Sequence, residues 1–64
     1  MHTTNQTTYM AVLSAYGTSS EPSREHDGEY VYLTHYGLDG EEIAFTTFRA
    51  GQPISWHVAD HTVL

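Results

Sequence analysis

The dipeptide Asp39-Gly40 stands between two runs rich in β-branched and aromatic residues, Glu29–Tyr36 (EYVYLTHY) and Glu41–Arg49 (EEIAFTTFR). Asp-Gly between strand-like runs is a strong hairpin signal, because a type I′ turn needs positive φ at both central positions. A second turn, Ala50-Gly51-Gln52-Pro53, leads to Ile54–Ala59 (ISWHVA). Proline at the head of that run suits the first residue of an edge strand. These signals commit the second half of the chain to a small antiparallel β-meander with strands at about 29–36, 41–49 and 54–59.

The turns also sort side chains onto faces. Even positions of the first strand fall opposite odd positions of the second, and those fall opposite even positions of the third. One face then collects Tyr30, Tyr32, Tyr36, Ile43, Phe45, Ile54, Trp56 and Val58. The other collects Val31, Leu33, His35, Ala44, Phe48, His57 and Ala59. A one-residue slip would move a whole strand to the opposite face.

The second face is too apolar to stay fully wet, and residues 9–16 (YMAVLSAY) are the segment able to cover it. As a strand they extend the sheet. As a helix they place Tyr9, Val12, Leu13 and Tyr16 on one side, with Thr3 or Thr4 near the start and Gly17 as the C-terminal cap. Threonine density favours the strand and the Gly17 stop favours the helix; the strand is the expectation here. The fold class is mainly β, with an α+β domain as the alternative.

At 64 residues the chain makes a single small domain. A domain this small buries only about 60% of its unfolded surface and is marginal. Residues 1–8 are polar and expected to be loose, and 17–28 (GTSSEPSREHDG) read as a long acidic loop. There is no cysteine, so neither a disulfide framework nor a thiolate zinc site is available. No apolar stretch approaches the roughly 20 residues of a membrane span, and no signal-peptide pattern is visible. The expectation is a cytoplasmic protein, monomeric or weakly dimeric.

Enzyme chemistry finds no signature. There is no Gly-x-Ser-x-Gly elbow and no phosphate-binding glycine loop, since Gly37-Leu-Asp-Gly40 is turn chemistry. His57 and His61 are four apart, without the further ligands that a closed zinc site requires. We expect no catalytic residues, no metal and no cofactor. Two arginines and no lysine, against eight carboxylates, exclude the usual way of holding nucleic acid, through cations that displace phosphate counterions.

The carboxylates are the informative feature. Glu21, Glu25, Asp27 and Glu29 form one group, with Arg24 among them; Asp39, Glu41 and Glu42 form another at the hairpin tip. In the meander Asp60 falls beside residue 43 and joins the tip. Two acidic poles result, separated by about 20 Å of strand. An extended 25–29 would project Glu25, Asp27 and Glu29 from one side at about 6.8 Å intervals, of the order of successive phosphates on a nucleic-acid strand. All eight are candidate partner-binding residues.

In size, charge balance and carboxylate placement over residues 21–60, the chain resembles the small acidic phage-encoded anti-CRISPR and anti-restriction proteins that mimic DNA. That resemblance implies a host-cell inhibitor whose partner is a basic nucleic-acid-binding protein or a CRISPR effector subunit. The alternative is an oligomeric adaptor or regulatory subunit that pairs through Val31, Leu33, Phe48 and Ala59.

Overall fold

The computed structural model describes residues 1–25 and 28–62. Five antiparallel strands form one sheet: β1 (His2–Thr4), β2 (Ser19–Glu25), β3 (Tyr30–Tyr36), β4 (Glu42–Arg49) and β5 (Gln52–Val58), in the spatial order β1-β5-β4-β3-β2. One helix, α1 (Gln6–Tyr16), packs on one face against β4 and β5. A short 3-10 turn, Asp60–Thr62, follows β5. The fold is mainly β, with the α+β variant realised.

Residues 9–16 are therefore helix, not strand. Asn5 caps it: its side-chain oxygen accepts from the Thr8 N–H at 2.8 Å, satisfying one of the unpaired donors of the first turn. Gly17 closes the helix by donating to the Leu13 carbonyl at 2.9 Å. A Cβ at Gly17 would lie 2.8 Å from that oxygen, so close approach is what requires glycine there. Tyr9 and Val12, one turn apart, are the buried residues of the helix.

Two further expectations are corrected. Residues 2–4 are not loose; they pair with β5, His2 opposite Val58 and Thr4 opposite Trp56. Most of 17–28 is not loop; Ser19–Glu25 is an edge strand on β3. Pro22 sits inside that edge strand, where a missing N–H need not break a ladder bond and discourages pairing with a further strand.

The meander strands stand where expected, but two β-bulges redistribute their faces. His35 pairs with Ala44 and Tyr36 with Glu42, so Ile43 is an extra residue in β4. Ile43 and Ala44 are both fully buried as a result. Thr47 pairs with Ser55 and Phe48 with Pro53, so Ile54 is an extra residue in β5. An extra residue reverses the alternation of the positions beyond it. Trp56 and Val58 therefore share the helix-covered face with Ala44 and Thr46, while His57 joins Phe45 on the open face. Ile54 is displaced outward and is 52% exposed.

The core is small: Tyr9, Val12, Ile43, Ala44 and Val58, with Leu13 and Trp56 packed against it. The turn chemistry also differs from expectation. Ala50 (φ 51°) and Gly51 (φ 78°) both have positive φ between the paired residues Arg49 and Gln52, so the type I′ turn is there. At the β3–β4 turn Gly40 has positive φ (80°) and Asp39 does not. Gly40 N–H donates to the Gly37 carbonyl at 3.0 Å and Gly37 N–H to the Glu41 carbonyl at 2.8 Å, a turn with Leu38 and Asp39 at its apex.

Candidate partner-binding surface

Apart from Glu21, the sheet sorts the described carboxylates to its two ends, and the ends differ. At the β3–β4 turn, Asp39, Glu41 and Glu42 are all exposed. The Ala59 N–H donates to the Ile43 carbonyl at 2.8 Å, which brings Asp60, the next residue, alongside Glu42. His2 Nδ1 lies 2.7 Å from Asp60 Oδ1. That hydrogen bond holds the Asp60 carboxyl below its ordinary range of about 3.8. Asp39, Glu41 and Glu42 have no cationic partner among the described residues, and neither arginine lies at this end.

The opposite end is compensated. Glu29 meets Arg49 at 3.0 Å, and the Arg49 guanidinium stands 5.7 Å from the centre of the Tyr30 ring. Arg24, the other arginine, is at this end too, opposite Val31. Both arginines line a concavity of about 660 Å³ over Val31 and Phe48, closed by the Ala50-Gly51 turn.

The expected comb of Glu25, Asp27 and Glu29 does not form as one extended row. Glu25 pairs with Tyr30, so the chain reverses between them and Glu29 belongs to the turn. Asp27 lies outside the described residues. Glu21, on the edge strand opposite Thr34, lines a shallow concavity with Tyr36 and Gly40 on the flank of the β3–β4 turn. Of the eight expected residues the structure gathers four, Asp39, Glu41, Glu42 and Asp60, at the end that carries no arginine.

The open face of the sheet differs in composition from the alternation of the sequence. Tyr32 meets Phe45 edge to face at 6.4 Å, and Phe45 stacks on His57 at 4.2 Å and 11°. His57 also contacts Ser55 Oγ through Nε2 at 3.1 Å and Thr3 Oγ1 through Nδ1 at 3.4 Å. His57 and His61 are thus separated, one on β5 and one in the 3-10 turn. Among the described residues no three His, Asp or Glu side chains converge to hold a metal ion. The face assigned to an adaptor contact is the one α1 packs on, and Ala59 is buried. No helix among the described residues is long and apolar enough to cross a membrane.

No family model matches this sequence, and no characterised protein and no solved structure is significantly similar to it.

Proposed function

We propose that this chain is an acidic inhibitor that docks its β3–β4 end on a basic, nucleic-acid-binding surface of a bacterial host-defence complex and excludes DNA from it. The observation that carries this reading is the charge segregation: Asp39, Glu41 and Glu42 are exposed without a cationic partner among the described residues, and both arginines stand at the far end of the strands. Like charges gathered on a marginal domain repel one another and oppose folding. A basic partner turns that repulsion into attraction on binding. The carboxylates take the places of phosphates, and the bulk of the sheet blocks the duplex. No bond is made or broken, and the partner meets protein instead of nucleic acid, in the host cytoplasm.

The test is displacement of DNA in a mobility-shift assay from three purified complexes: a single-effector CRISPR ribonucleoprotein, a multi-subunit CRISPR complex and a type I restriction endonuclease. Inhibition of at least one is expected, reversible by excess DNA and weakening as salt rises from about 0.05 to about 0.5 M, because exposed charges are screened over that range. Replacing Asp39, Glu41 and Glu42 together by Asn and Gln should abolish it without lowering thermal stability. Unchanged inhibition by that folded triple variant would sink the proposal. Mass that rises with concentration, without inhibition of any of the three complexes, would favour the adaptor reading instead.

A further inference from the structure

Resting on that reading, we infer that Leu38 is the apolar anchor of the contact and enters a partner pocket that has an apolar floor and a rim of lysine or arginine side chains. Leu38 is 88% exposed; the other exposed large hydrophobic residues among the described ones, Met1, Met10, Tyr16 and Ile54, lie between 42% and 56%. The fold makes no use of its side chain. The turn is closed by the backbone bonds from Gly40 to Gly37 and from Gly37 to Glu41, and its central positions accept most residue types. Its place at the apex of the turn, inside an acidic fringe, puts that apolar surface within reach of a partner.

The residue is also held in place. Gly37 is buried at the base of the turn, where a Cβ would collide with the Glu41 carboxylate and come within 3.1 Å of Ile43 Cγ2. Ile43 itself is fully buried. The turn is thus fixed to the core through Gly37, and the backbone that presents Leu38 loses little freedom on binding.

The surroundings specify the partner. Asp39 follows Leu38 directly, and Glu41 and Glu42 complete an exposed anionic fringe with no cationic partner among the described residues. An apolar knob within such a fringe complements a pocket with a cationic rim and is mismatched to a neutral or acidic one. DNA offers phosphates but no leucine. Leu38 therefore makes a contact that the displaced nucleic acid does not make, and this contact persists when salt screens the charges.

The experiment uses whichever of the three complexes the wild-type chain displaces from DNA, and compares Leu38→Asp, Leu38→Ser and Leu38→Met by half-inhibitory concentration. A pure charge mimic gains from a further carboxylate. An apolar anchor loses its burial, which corresponds to about 10- to 100-fold. We expect Leu38→Asp and Leu38→Ser to raise the half-inhibitory concentration at least tenfold, with Leu38→Met within about threefold of wild type. Circular dichroism melts should be unchanged, and Leu38→Ser repeats the test without added charge. Equal or stronger inhibition by folded Leu38→Asp would overturn the anchor and leave the inhibitor reading standing. Wild-type inhibition of none of the three would overturn both.

Discussion

The Tyr9 hydroxyl of α1 and Nε2 of His35 on β3 share a hydrogen bond beneath the helix, and the two rings meet edge to face with centroids 5.4 Å apart. Burial lowers the His35 pKa from 6.5 and raises that of Tyr9 from 10.0. The strand neighbours of His35 are Ser20 and Ala44, neither of them charged. A histidine with a lowered folded pKa contributes stability that is complete above its unfolded value and is lost as pH falls through the folded value. Melts should therefore show declining stability from pH 6.5 downward. One proton's linkage is at most about 1.4 kcal/mol per pH unit, and the partial exposure of His35 keeps the effect below that. His35→Gln should flatten this slope. Asp60 acts in a separate window, below about 3.8, because its pKa is lowered from there by His2.

Ala50 occupies a left-handed conformation that costs an L-residue about 1–2 kcal/mol. Glycine avoids that cost at a smaller entropic penalty. Ala50→Gly should stabilise by about 0.5–1 kcal/mol and raise Tm by several degrees. A lower Tm would show that Arg49–Gln52 is not a type I′ turn.

Ile43 and Ile54 are chemically identical and, by strict alternation, share a face. The bulges separate them. Ile43→Ala removes a fully buried side chain and should cost about 2–5 kcal/mol, enough to unfold most of a marginal domain. Ile54→Ala should stay within about 0.5 kcal/mol of wild type, because its side chain is half exposed. Comparable costs in denaturant titrations would refute the bulged register.

The Thr46 hydroxyl is buried and completes no hydrogen bond. It faces the Tyr9 phenol closely enough to oppose that group's upward shift, yet without the geometry of a completed hydrogen bond. An unsatisfied buried hydroxyl costs about 1–3 kcal/mol, so Thr46→Val, which keeps the shape, should stabilise by about 1 kcal/mol. A loss of stability would mean that the hydroxyl has a working partner.

The meander was legible because β-branched and aromatic runs and glycine turns point the same way. The elements that escaped were set by a single cap residue or by tertiary pairing. Asn5, three residues before Thr8, is the signal that makes 6–16 a helix despite its threonines. Strand β2 (SSEPSRE) has no apolar alternation to read, since its described side chains are exposed and the backbone of β3 defines it. Ile43 and Ile54 look like ordinary members of a period-2 pattern, and only tertiary packing makes them bulges. At the acidic tip, the hairpin reading grouped Asp39, Glu41, Glu42 and Asp60 but set Asp60 beside residue 43; the structure puts Ala59 there and Asp60 alongside Glu42. That reading could not foresee that Arg49 would pair with Glu29, because that contact depends on how two separate turns meet.

The pairing of His2 with Val58 has a kinetic side. Strands β2 to β5 follow one another in sequence and in space, so each closes on its neighbour through a short loop. β1 finds its partner only across more than fifty residues, and α1 rests on β4 and β5, which are also far from it along the chain. Closing such a loop before the meander exists costs entropy without compensating contacts. The amino-terminal quarter is therefore expected to dock last, with the rate of folding set in the meander, where Ile43 must find its bulge before the helix has a surface to land on.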